Sequence, residues 1–166
     1  AAGLEQTISF TARATDAAGN TNPTASAALP VMIDRKAPTP PPSTPDLDPT
    51  SDSGNPSDNI TNDNTPLFRG TTTVTTPLDT SVVTLLNSSS PIGTDSTLAG
   101  GNWDIISVVS LGDGQYNIFA AATDKACNIS GSANSLLLTI DTTTPNPQTL
   151  ALAPGSDSNV PTDNVT

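Results

Sequence analysis

The chain has 166 residues, of which 34% are apolar and 3% aromatic, and its formal net charge is −11. Five Lys and Arg cannot neutralise a tract of phosphates, so nucleic acid is excluded as an electrostatic partner and anionic lipid is disfavoured. The absence of histidine and the presence of one cysteine, Cys127, exclude an intramolecular disulfide, the usual Cys/His zinc sets and Ser-His-Asp chemistry.

Residues 1–34 offer two strands around the phrase ATDAAGN at 14–20. The stretch RKAPTPPPSTP comes next; proline fixes its backbone angles and makes it a semi-rigid spacer rather than a flexible string. From there, short alternating segments separated by Gly, Pro, Asn and Asp recur about every ten residues, the pattern of an all-β sandwich. They are TPDLD (44–48), PLFRGTT (66–72), SVVTLLN (81–87), a short segment within 91–99, NWDIISV (102–108), QYNIFAAAT (115–123) and NSLLLTID (134–141). The last two are expected to form a hairpin closed by DKACN. Residues 142–166 hold one strand more. The core is expected to gather small aliphatic side chains around Trp103, Tyr116, Phe10, Phe68 and Phe119. No run of about eighteen apolar residues is present, so no segment is expected to span a membrane, and the N-terminus carries no basic and apolar signal segment.

Internal repetition organises these elements. ARATDAAGN at 12 returns as AAATDKACN at 120, IDRKAP at 33 as IDTTTP at 140, and SDSGNPSDNIT at 51 as SDSNVPTDNVT at 156. Three blocks in one order at nearly one spacing divide the chain into the tail of one repeat (1–34), a whole repeat (35–141, with its linker at 35–43) and the start of a third (142–166). Acidic residues are fifteen aspartates against one glutamate, Glu5. Aspartate is both a turn former and a compact oxygen ligand for hard cations.

The run GNWDIISVVSLGDGQYNIFAAATDKACN, preceded by SDSGNPSDNITNDNTPLFRGT and followed by TIDTTTP, resembles the bacterial immunoglobulin-like repeats of giant surface adhesins secreted by Gram-negative bacteria. The resemblance implies a seven-stranded antiparallel sandwich, head-to-tail chaining, Ca2+ at shared aspartates, and a rod that carries a binding tip away from the cell. Neighbouring repeats would be the direct partners, with a host or surface glycan contacted by other regions and an extracellular location at the bacterial surface. The chain departs from its own first copy at Cys127, which stands where that copy has Gly19.

In an immunoglobulin-type strand order, the turn between the last two strands lies at the pole where the chain enters the domain. That turn carries Asp124 and Asn128, and the linker reaching it comes directly after Asp34. Two carboxylates from consecutive modules would converge there, where a calcium needing six to eight oxygens could join them. Asp141 would serve the next joint, and Asp16 is the counterpart of Asp124 for a preceding linker. A second cluster, Asp52, Asp58 and Asp113 with Asn59, is expected at the opposite pole, and the copy at the C-terminus keeps Asp157, Asp163 and Asn164. Asp46 and Asp48 are expected to face solvent, because the copy has Ala151 and Ala153 there.

Metal-free readings stand beside these. Asp16 and Asp124 can cap a hairpin turn through backbone hydrogen bonds alone, and the SDSGNPSDN loop can be an Asx-turn cluster. Paired carboxylates also suggest glycoside hydrolysis, but catalytic pairs are not copied module by module, so no enzyme is expected. A glycan- or cell-surface-binding module that contacts its ligand directly is the competing function. Cys127 reads as a tolerated or introduced turn residue.

Overall fold

The computed structural model describes residues 5–74, 80–132 and 134–150. Two strands, β1 (Glu5–Phe10) and β2 (Leu29–Asp34), form an antiparallel hairpin with Glu5 opposite Asp34 and Phe10 opposite Leu29. The remaining strands are β3 (Asp46–Leu47), β4 (Ile60–Thr61), β5 (Leu67–Thr71), β6 (Thr80–Asn87), β7 (Ser90–Asp95), β8 (Asn102–Ile106), β9 (Gly114–Asp124) and β10 (Leu136–Ile140). They build a five-stranded sheet ordered β4-β10-β9-β6-β7 and a three-stranded sheet ordered β3-β5-β8.

All seven segments read from the sequence contain a strand, and β9 and β10 pair antiparallel as expected. The addition is β4, two residues that leave the three-stranded sheet and run parallel to β10, with Ile60 beside Thr139 and Thr61 beside Ile140. Two residues give no periodicity to detect; their place is set by tertiary hydrogen bonds, Thr139 N to Asn59 O and Asp141 N to Thr61 O, both 2.9 Å.

Alternation explains which faces meet. In β8, Trp103 and Ile105 point inward while Asn102, Asp104 and Ile106 face out; in β10, Leu136, Leu138 and Ile140 are the inward set. Phe68, Leu85, Ile118 and Leu138 are fully buried between the sheets, each stabilising the fold by roughly 1.5–3 kcal/mol relative to exposure. Three of the five aromatics depart from the expected core. Phe10 is 53% exposed on the hairpin, Phe119 is half-buried because it takes an outward place on β9, and Tyr116 packs at the core's margin while its hydroxyl donates to Gly112 O.

Two glycines allow the close approaches that the packing needs. A side chain at Gly70 would collide with the Trp103 ring, and one at Gly93 would collide with Ile105 and the Ile106 carbonyl. The second contact lets β7 close over β8, where Val108 N donates to Ile92 O at 2.8 Å. Both ends of the sandwich are built from aspartate-rich turns. Asp124 closes β9 at the upstream pole, while Gly114, Ile140 and the 48–66 connection gather at the downstream pole, tied by Leu111 N to Asn64 O at 2.8 Å.

Candidate functional site

At the upstream pole, the turn after β9 is built around Asp124. One carboxylate oxygen accepts from Ala126 N and Asn128 N, both at 2.8 Å, and the other from Asn128 Nδ2 at 2.8 Å. Asp124 N donates to Asn128 O and Cys127 N to Asp124 O, completing the loop. The same pattern surrounds Asp16, with Ala18 N, Asn20 N and Asn20 Nδ2 as donors. Those bonds, led by the Asn20 side chain, hold the Asp16 carboxyl below its usual range. Both turns require a left-handed residue before the Asn: Gly19 has φ +88° and Cys127 φ +67°.

The linker crosses this turn. Asn128 Nδ2 also lies 3.3 Å from the carbonyl oxygen of Asp34, the last residue of β2. Asp34 Oδ1 accepts from Lys36 N at 2.9 Å, and Lys36 pairs with Glu5 at 3.6 Å. Asp34 Oδ2 is buried and has no hydrogen-bond partner among the described residues. Asp34 and Asp124 are thus brought to one joint through Asn128. Asp124 is only 2% exposed there, whereas Asp16 is exposed.

The downstream pole repeats half of this arrangement. Asp141 Oδ1 accepts from Thr143 N at 3.0 Å, as Asp34 does from Lys36. Asp113 binds the departing linker: Thr142 N and Oγ1 donate to its Oδ1 at 2.9 and 2.7 Å, and Thr143 Oγ1 to its Oδ2 at 2.6 Å. The Thr143 hydroxyl is the leading cause of a lowered Asp113 pKa, followed by Thr142. Glu5, which stands 108 residues before Asp113, grips its own linker through Lys36, so an acid at the start of the penultimate strand clamps the outgoing chain twice.

Asp52, Asp58 and Asp113 are not drawn into one cluster; among the described residues no three acidic, Cys or His side chains are grouped so as to hold an ion. Asp113 is turned to Thr142 and Thr143. Asp58 closes an Asx turn onto Ile60 N at 3.0 Å, and Asn59 adopts φ +58°, offering its carbonyl to β10. Asp52 is 6% exposed, and among the described residues its Oδ1 has no hydrogen-bond partner. Asp157, Asp163 and Asn164 lie outside the described residues.

Asp48 corrects the solvent-facing expectation. It is 1% exposed: Thr50 N and Oγ1 donate to Oδ1, while Oδ2 meets the Arg69 guanidinium. The Thr50 hydroxyl leads in lowering its pKa, with Arg69 adding charge stabilisation. Asp46 does face solvent. Alanine at both positions of the copy makes the two aspartates look alike, and the contacts of Asp48 with Thr50 and Arg69 separate them.

The buried, unpartnered oxygens of Asp34 and Asp52 fit the hard-cation chemistry of Ca2+. Asp124 fits it less, since backbone and amide N–H groups already occupy both of its oxygens.

A family model for the bacterial Ig-like domain matches residues 39–142. No match is found among curated proteins. Among solved structures, the fibronectin(III)-like modules of Clostridium thermocellum CbhA are similar, with 16% identity and a TM-score of 0.48 over 88% of this chain and 68% of that one. Among the described residues no helix is long and apolar enough to cross a membrane.

Proposed function

The chain belongs to the bacterial Ig-like domain family, and on that premise we propose that it is a non-catalytic spacer of a giant bacterial surface adhesin, stiffened by Ca2+ where modules join. Its immediate partners are the neighbouring repeats of the same chain, and it works outside the cell, holding a distal binding tip away from the surface. The observation that carries this reading is the joint itself. Asn128 of the sandwich reaches the carbonyl of Asp34 on the preceding hairpin, and beside that contact lies a buried carboxylate oxygen of Asp34 with no donor among the described residues.

An unpartnered buried carboxylate oxygen is costly, and a cation is the compensation that a chain rich in aspartate and poor in Lys and Arg would use. When bound, Ca2+ supplies charge neutralisation and several oxygen-directed bonds at once. Asp34 would hold it at the joint, Asp141 is the corresponding residue at the next joint, and Asp52 would serve in the 48–66 loop. The proline-rich linker already restricts the hinge, so fixing one end with an ion removes most of the remaining freedom. The sandwich has its own core and is expected to stay folded without the ion.

Calorimetric titration of the 166-residue chain with Ca2+ tests the reading against Asp34→Asn and Asp52→Asn. Loss of one binding event in each variant is expected. Identical isotherms for all three proteins would dismiss both aspartates as ligands.

A further inference from the structure

We propose that the outer face of the three-stranded sheet is a binding site for a neutral saccharide, a role beyond the spacer reading. Three side chains run across the strands there: Asp46 opposite Arg69, and Arg69 opposite Asp104. Thr71 opposite Asn102 forms the next row, and with Thr44 of the linker these residues line a groove of about 430 Å3. That size falls within the range of about 300–1,000 Å3 typical of small-ligand sites.

The chemistry of the lining selects the ligand. Arg69 is fixed at both ends, its Nε 3.0 Å from Asp104 Oδ1 and its Nη1 against the buried Asp48. It therefore presents its remaining N–H groups in a set direction. Asp46 and the second oxygen of Asp104 can accept, Asn102 both donates and accepts, and the threonine hydroxyls do either. Alternating donors and acceptors on a rigid sheet suit a ring bearing several hydroxyls. With Asp46, Asp48 and Asp104 against Arg69, the local charge is negative, so phosphates, sulfates and sugar acids are opposed. Trp103, which points inward, lies against the floor of the groove, and among the described residues its buried Nε1–H has no acceptor. Its ring is covered, so binding rests on hydrogen bonds without stacking and is expected to be weak. An array of modules would raise it by avidity.

Trp103 is the sole tryptophan, which makes its indole resonance a reporter of this groove. The 15N-labelled chain is titrated with neutral mono- and disaccharides of gluco, galacto, manno and N-acetylated form, and separately with a sugar acid and an alkyl diamine. A saturable indole shift at millimolar concentration of at least one neutral sugar is expected, with none from the sugar acid. Asp46→Ala should weaken that binding about tenfold, ~1.4 kcal/mol. Asp46 faces solvent, so the substitution removes no core contact and the variant is expected to fold. No saturable shift with any neutral sugar, a response to the diamine alone, or unchanged affinity in Asp46→Ala would each overturn the proposal.

Discussion

Asn128 divides the two hydrogens of its carboxamide between Asp124 Oδ2, four residues away at 2.8 Å, and the backbone carbonyl of Asp34, 94 residues away at 3.3 Å. One side chain therefore closes a turn within the sandwich and fastens the preceding hairpin to it. Asn128→Ala should lower the unfolding free energy by about 1–3 kcal/mol, since a buried carboxylate loses a donor. Urea denaturation measures this, and limited proteolysis should show faster cleavage within residues 34–45. An unchanged midpoint would make the contact incidental.

Cys127 occupies a left-handed backbone position at φ +67°, and Gly19 does the same work in the first copy at φ +88°. A non-glycine residue there costs roughly 1–2 kcal/mol, part of which is returned by its lower entropy in the unfolded chain. Cys127→Gly should therefore raise stability by about 1 kcal/mol, and Cys127→Val should lower it. Thermal melts under reducing conditions distinguish the two.

Asp113 holds the outgoing linker through Thr142 and Thr143, and its pKa lies below the ordinary carboxylate value of 3.8. A depressed folded-state pKa means that the clamp's contribution is complete above the ordinary value and is lost as pH falls through the lowered one. Amide shifts of Thr142 and Thr143 should stay constant from neutrality down to that region and then move together. In Asp113→Asn the same shifts should start displaced and show no such step.

Arg69 is the charge partner of buried Asp48. Arg69→Met should destabilise the sandwich more than Arg13→Met does, because it strands a buried carboxylate. Adding Asp48→Asn to Arg69→Met should recover a large part of the loss. Additive losses in the double variant would mean that the two residues act independently.

The sandwich is legible in the sequence because its strands alternate, as NWDII and LLLTI do, and because turns of Gly, Pro, Asn and Asp punctuate them. β4 is not legible, since two residues carry no period and only the edge of β10 defines them. The joint is legible as a pair of aspartates because the repeats mark Asp34 and Asp124. The division of labour between them is not. Asn128 saturates Asp124 and leaves Asp34 with the open oxygen, a consequence of side-chain direction that spacing does not encode. Proximity of loops pairs Asp113 with Asp52 on paper, but the threonines of IDTTTP, absent from IDRKAP, draw Asp113 to the linker.

Small-angle scattering of the 166-residue chain in calcium and in chelator tests the stiffened joint most directly. A compact set of orientations in calcium, a broader and more flexible one in chelator, and the chelated profile in Asp34→Asn regardless of calcium are expected. Superimposable profiles of the native chain in the two buffers would contradict the account.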